Sequence, residues 1–149
     1  MNKLIVFSVL CGVFIRSGEL SPEFKEKFAA KMEAIGEKCA EETGASQDDI
    51  AKILTKDIPE TREGKCMLFC GHRELHIQTP DGGTDLDSAI ASLDFLKNED
   101  SELYDKMVQV YTICSKVPFV EDPCDYAVAL STCGTHEAQK LGMDATLLE

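Results

Sequence analysis

The chain has 149 residues, enough for one domain with one hydrophobic core. It carries 15 basic and 27 acidic side chains, so its formal net charge is −12. Such a surface repels phosphate backbones and anionic lipids, which argues against nucleic acid or a membrane surface as a partner. The plainer interpretation of the same charge is solubility at high protein concentration.

The first 18 residues have the features of a secretory signal peptide. Lys3 supplies a positive charge, residues 4–15 are almost entirely apolar, and the small residues Ser17 and Gly18 follow. The apolar run has about a dozen residues, whereas about 20 are needed to span a bilayer. Cleavage near residue 18 leaves residues 19–149 as the mature domain, with 13 basic and 27 acidic side chains and a net charge of −14.

The mature chain is predicted to be helical, because its apolar residues recur with helical period and no segment alternates convincingly as a strand would. A first helix is expected between its cap at Ser21 and Gly44. The second follows the capping pair Ser46 and Asp49. The third should run from about Thr61 to Thr79.

Three further helices are predicted after the turn at residues 80–83. The fourth precedes Asn98 and the fifth follows it. The sixth begins at the cap Asp122 with Pro123 in its first position, and it ends at Gly142. The sequence therefore predicts an all-α fold, a compact bundle of about six helices in one domain.

Six cysteines remain after removal of the signal peptide, and an even number in a secreted chain predicts disulfide bridges. Cys66 and Cys70 are separated by one helical turn and share a face, so a bridge between them would constrain little. Cys124 and Cys133 point to opposite sides of their helix. Excluding these two local pairs still leaves ten of the fifteen possible connectivities open.

The cysteines are separated by 26, 3, 43, 9 and 8 residues, a spacing that resembles the six-cysteine signature of the insect odorant-binding and pheromone-binding protein family. The signal peptide, the acidity and the entry to the last helix at residues 122–125 also fit. The resemblance covers essentially the whole mature chain. It implies three bridges, Cys39–Cys70, Cys66–Cys124 and Cys114–Cys133. Each bridge would contribute roughly 3–4 kcal/mol in the chain-entropy model.

The resemblance implies a secreted carrier that reversibly binds a small hydrophobic or volatile ligand in an internal apolar cavity and transports it through extracellular fluid. It implies no enzyme activity and no cofactor. A membrane receptor and a second copy of the chain, in a weak homodimer, are the further partners considered. Two alternatives stay open: a lipophile carrier outside olfaction, and a helical interaction protein with a solid core. No Gly-x-Ser-x-Gly motif or phosphate loop argues for catalysis.

The apolar stripes of the helices are the expected ligand wall. They comprise Met32, Ile35, Ile53, Leu75, Leu86, Ile90, Leu93, Met107, Tyr111, Phe119 and Leu130. The Tyr111 hydroxyl can form a hydrogen bond with the oxygen of an alcohol, aldehyde or ester. Leu147 and Leu148, near the end of the tail, are expected to fold over the pocket mouth as tails of similar length do in relatives. Acid should loosen this lid below about pH 5.5, because protonation removes the hydrogen bonds of its carboxylates.

Two histidines four residues apart, His72 and His76, have the spacing of metal ligands on one helix face. We expect them instead to be solvated surface residues, and no metal site is predicted. On this basis Met107→Ala and Tyr111→Ala should change ligand affinity more than His72→Ala does.

Overall fold

A computed structural model describes residues 20–143. Its six α-helices are α1 (Pro22–Thr43), α2 (Gln47–Leu54), α3 (Arg62–Glu74), α4 (Leu86–Ala91), α5 (Ser101–Cys114) and α6 (Pro123–Lys140), and a 3₁₀ turn follows α4 at Asp94–Leu96. No strand occurs within this range, so the predicted all-α fold is confirmed. None of these helices is long and apolar enough to cross a membrane. The predicted signal peptide and the tail residues Leu147 and Leu148 lie outside the described residues.

The helix starts follow capping signals that are visible in the sequence. At α2 the Ser46 hydroxyl accepts the Asp49 N–H at 3.1 Å, and the Asp49 carboxylate accepts the Ser46 N–H at 3.0 Å. At α6 the Asp122 carboxylate accepts the N–H groups of Cys124 and Asp125. These contacts confirm the predicted starts of both helices.

The third helix is shorter than the predicted range of 61–79. It ends at Glu74, because the backbone turns into the left-handed region at His76, where φ is 59°. The Ile77 N–H then donates to the His72 carbonyl oxygen at 2.8 Å, the closing bond of a Schellman motif. This ending has no glycine to signal it, and the chain beyond it turns inward to bury Gln78.

Three disulfide bridges each join two different helices. Cys39–Cys70 links α1 to α3, Cys66–Cys124 links α3 to α6, and Cys114–Cys133 links α5 to α6, with S–S distances of 2.02, 2.13 and 1.97 Å. These are the pairings that the family resemblance implies. The neighbouring cysteines of α3 are thus bridged to two different helices. An ion pair between Arg62 and Asp122, at 2.7 Å, also joins the start of α3 to α6.

A buried acidic residue fixes α2 against α3. Asp49 is 1% exposed and accepts the hydroxyl of Thr61, the cap of α3, at 2.7 Å. Hydrogen bonds, that from Thr61 foremost, lower the pKa of the Asp49 carboxyl. Gly64 lies against Asp49 and Pro59, since a Cβ there would be 2.7 Å from Asp49 Oδ1 and 2.5 Å from Pro59 Cβ. The corner between α2 and α3 therefore requires a residue without a side chain.

We expect Gly64→Ala to lower the free energy of unfolding by about 1–3 kcal/mol, because the added methyl group overpacks this corner. Gly71→Ala is the matched control on the same helix, since a Cβ there meets nothing within 4 Å. It should raise stability by roughly 0.5–1 kcal/mol through helix propensity alone. Urea denaturation measures both values. Equal effects of the two substitutions would contradict the close approach at Gly64.

Candidate ligand-binding site

Two adjoining cavities lie between the helices. The larger has a volume of about 410 Å³ and is bordered by α1, the segment around the 3₁₀ turn, α5 and α6. This volume lies in the usual range of small-molecule sites, about 300–1,000 Å³. Its wall is mainly aliphatic and aromatic, and it includes five of the predicted residues, Met32, Leu75, Leu93, Met107 and Tyr111.

The smaller cavity has a volume of about 120 Å³ and lies between α4, α5 and α6. The predicted residues Leu86 and Leu130 line it, and Tyr111 does so as well. Ile77, Val110, Tyr111 and Gly134 line both cavities. The two spaces therefore adjoin along this shared wall.

Some predicted wall residues line neither of these cavities: Ile35, Ile53, Ile90 and Phe119. Ile35 and Ile53 pack against the buried cluster around the Cys39–Cys70 bridge. Phe119 is 65% exposed and meets the Tyr126 ring edge-on, with centroids 5.4 Å apart. Apolar spacing marks a buried face without showing whether protein or open space lies opposite, so a place for these four residues in the ligand wall stays a prediction.

Sequence reasoning missed an aromatic cluster at one end of the larger cavity. Phe24 and Phe28 of α1 stack with Phe95 of the 3₁₀ turn, with ring centroids 5.7–6.2 Å apart. The three rings line the larger cavity on one side and an outer surface groove on the other. The spacing of four residues places Phe24 and Phe28 on one face of α1, but no local signal brings Phe95 to them.

His72 is only half-exposed and both of its ring nitrogens have side-chain partners, so it is not the solvated surface residue that the sequence predicts. Its ring lines the smaller cavity, and desolvation lowers its pKa below the ordinary value of 6.5. His72 Nδ1 lies 2.8 Å from Gln78 Oε1, and Nε2 lies 3.1 Å from Ser131 Oγ. His76 is exposed, as predicted. Among the described residues, no group of three or more histidine, cysteine or acidic side chains is arranged to hold a metal ion.

The buried amide of Gln78 fixes the tautomer of His72. Gln78 is 2% exposed, and its Nε2 donates to the carbonyl oxygens of Gly82 and Pro123, both at 3.2 Å. Its Oε1 can only accept, so the facing Nδ1 of His72 carries the proton. In the neutral ring Nε2 then accepts the proton of the Ser131 hydroxyl. The Ser131 oxygen is left as a hydrogen-bond acceptor beside the smaller cavity.

Tyr111 places a polar group in the wall that the two cavities share. Burial raises the pKa of its phenol to about 12, so the hydroxyl keeps its proton at physiological pH. Within residues 20–143 no hydrogen-bond partner engages this hydroxyl. It can therefore donate to an oxygen atom of a molecule held in either cavity, which is the role predicted from the sequence.

Comparison with known proteins identifies the family. The sequence model of the PBP/GOBP family matches residues 21–137. The chain belongs to the PBP/GOBP family. It is similar to general odorant-binding protein 19d of Drosophila melanogaster, with 27% identity over 144 residues that cover 97% of this chain and 93% of the relative. It is also similar to general odorant-binding protein 28a of the same organism, with 26% identity over 136 residues that cover 91% and 95%.

The fold of this PBP/GOBP member also has a solved counterpart. The structure of odorant-binding protein dmelOBP28a from Drosophila melanogaster matches with a TM-score of 0.68 and 24% identity, covering 80% of this chain and 99% of that one. Together with the family match, this likeness confirms the predicted relation to the insect odorant-binding proteins.

The partly desolvated ring of His72 makes the stability of the fold depend on pH. Its folded pKa lies below the ordinary 6.5, so just below pH 6.5 the unfolded chain takes up a proton that the folded chain does not. The stabilisation is complete above 6.5 and is lost as pH falls toward the folded value. We therefore expect the urea midpoint of the wild type to fall between about pH 7.5 and pH 5.5.

His72→Gln should remove much of that fall, whereas the control His136→Gln, at a side chain 65% exposed, should keep it. The carboxylates affect stability in a different pH range. Asp122, for example, has its pKa lowered from 3.8 to about 2, chiefly by Arg62, so its stabilising effect is lost only below 3.8. An unchanged fall in His72→Gln would contradict the assigned desolvation.

Proposed function

We propose that this member of the PBP/GOBP family is a secreted carrier that reversibly binds a small lipophilic molecule and transports it through extracellular fluid. The observation that supports this proposal is the cavity of about 410 Å³ with aliphatic and aromatic walls. Protein interiors are normally packed as closely as organic crystals, so a space of this size is typical of a binding site rather than of a core. The names of the two Drosophila relatives agree with this function.

Affinity would come from the removal of apolar ligand surface from water. A ligand that buries about 400 Å² gains about 10 kcal/mol in gross terms, and association costs of at least about 4 kcal/mol leave an affinity in the micromolar range. The Tyr111 hydroxyl and the Ser131 oxygen offer one donor and one acceptor to a polar group of the ligand. The proposal contains no covalent step, in keeping with a family of carriers.

The predicted signal peptide and the three bridges support secretion, since disulfides persist in oxidising compartments. A carrier outside olfaction would use the same cavity, so the proposal leaves the tissue open. The cavity disfavours the alternative of an interaction protein with a solid core. A membrane receptor and a weak homodimer remain proposals for further partners of the carrier.

Gly134→Leu tests the cavity directly. Gly134 lies on α6 in the wall of both cavities, and a Cβ there meets nothing within 4 Å. The leucine should occupy their junction and weaken binding of the fluorescent probe N-phenyl-1-naphthylamine roughly tenfold. Gly36→Leu is the matched control, because Gly36 has equally open surroundings on α1 but lines neither cavity. Equal probe affinities in the two folded variants would contradict the assignment.

The lid at the carboxyl end stays a prediction. Met143, the last described residue, is buried and lines the larger cavity, so the chain reaches the cavity where the tail begins. Deleting residues 144–149 should weaken probe binding at neutral pH and flatten its loss below about pH 5.5. Titrating the probe against the full and shortened chains measures both effects. Identical pH profiles would exclude the tail as the lid.

A further inference from the structure

In the described part of the chain, the ionisable side chains that border the larger cavity, apart from its tyrosine, are all basic. Among residues 20–143, Lys31, Lys56 and His76 contribute to its wall, and no aspartate or glutamate does. This is the reverse of the overall composition, in which 27 acidic residues outnumber 15 basic ones. All three side chains are exposed, so they lie where the cavity meets solvent. We refer to these three residues as the cationic rim.

Within the described residues, the two lysines of the cationic rim form no ion pair with a carboxylate, and the carboxylate that interacts electrostatically with His76, that of Glu74, pairs with Lys38 at 2.5 Å. Within residues 20–143, Lys31, Lys56 and His76 take part in no ion pair, although other lysines of the chain do. The ammonium group of Lys31 lies over the Phe95 ring, 5.8 Å from its centroid. The rim therefore keeps its charges available to a bound molecule.

The carboxylates near the aromatic cluster are engaged elsewhere. Glu23 and Glu99 border the groove outside this cluster. Glu23 pairs with Lys27 at 2.7 Å, and Glu99 accepts the hydroxyl of Ser21 at 3.0 Å. More distant acidic residues are screened by physiological salt, where the Debye length is about 8 Å. Lys31 and Lys56 thus place positive side chains at the rim of a protein whose net charge is negative.

Two residues of the cationic rim occupy backbone positions that favour glycine. Lys56 and His76 have φ of 62° and 59°, and they are the non-glycine residues with positive φ in the described part of the chain. Each follows the C-cap of its helix, and α2 closes as α3 does, with the Asp57 N–H donating to the Lys52 carbonyl oxygen at 2.8 Å. Glycine is the usual residue here, because a Cβ crowds the backbone in this conformation. Lys56 and His76 thus occupy these two positions despite the local strain of the backbone.

We propose that the ligands of this cavity are anionic amphiphiles, namely long-chain carboxylates whose head group lies at the cationic rim. This inference rests on the carrier function proposed above. The hydrocarbon chain fills the apolar cavity, and its burial supplies the driving force. The carboxylate stays at the solvent-exposed rim, where it avoids the large cost of burying a charge. The ammonium groups of Lys31 and Lys56 select for the negative head.

The test compares laurate with 1-dodecanol, which has the same chain length and no charge, as competitors of N-phenyl-1-naphthylamine at physiological ionic strength. Lys56→Met should weaken laurate binding relative to dodecanol binding roughly two- to fivefold. The control Lys116→Met removes the same charge from an exposed residue that lines neither cavity, and it should change neither affinity. Lys56→Gly should reproduce the selective loss of laurate while raising the melting temperature, because glycine relieves the left-handed strain.

The possible outcomes separate this inference from the carrier function. A selective loss of laurate in Lys56→Met and Lys56→Gly supports the anionic head group. Equal losses of laurate and dodecanol, or an equal loss of laurate in Lys116→Met, would overturn it while the displacement by dodecanol still supports a carrier. Failure of the wild type to bind the probe or either competitor would overturn the carrier function itself.

Discussion

The structure depends on two cysteines of α3 that are one turn apart and bridged in different directions. Cys70 holds α1 and Cys66 holds α6, which is itself bridged to α5. The helices that surround the larger cavity are thereby connected through covalent bonds. Such bonds restrict the unfolded chain and stabilise the fold without filling its interior. A bundle of this size can therefore keep a cavity that side-chain packing alone would tend to close.

Local chemistry made much of the fold predictable. The capping pair Ser46 and Asp49 and the Asp122–Pro123 start fixed helix beginnings, because their hydrogen bonds involve residues close in sequence. The end of α3 was not predictable, because His76 occupies a position where glycine is the usual signal. The cavity wall was predictable only in part. Ile35 and Met32 lie on the same helix, yet only Met32 borders the larger cavity, since that depends on what the other helices place opposite.

The buried polar groups show the same division between local and distant information. Asp49 caps its own helix and also binds Thr61, and Gln78 orients His72 while binding the carbonyl of Pro123. A buried polar side chain without partners would be strongly destabilising. The complete networks therefore stabilise the helix arrangement that forms the walls of the two cavities. The cationic rim likewise emerges only from the fold, because the composition of an acidic chain does not indicate where its basic residues meet.

The central claim is that the bridged apolar interior holds a lipophilic molecule. The most direct measurement is a crystal structure of the protein grown with 12-bromo-1-dodecanol, in which anomalous scattering locates the bromine atom. We predict one molecule with its chain between α1, α5 and α6, inside the larger cavity. Bromine found only in the groove outside Phe24, Phe28 and Phe95, or not bound at all, would contradict the account.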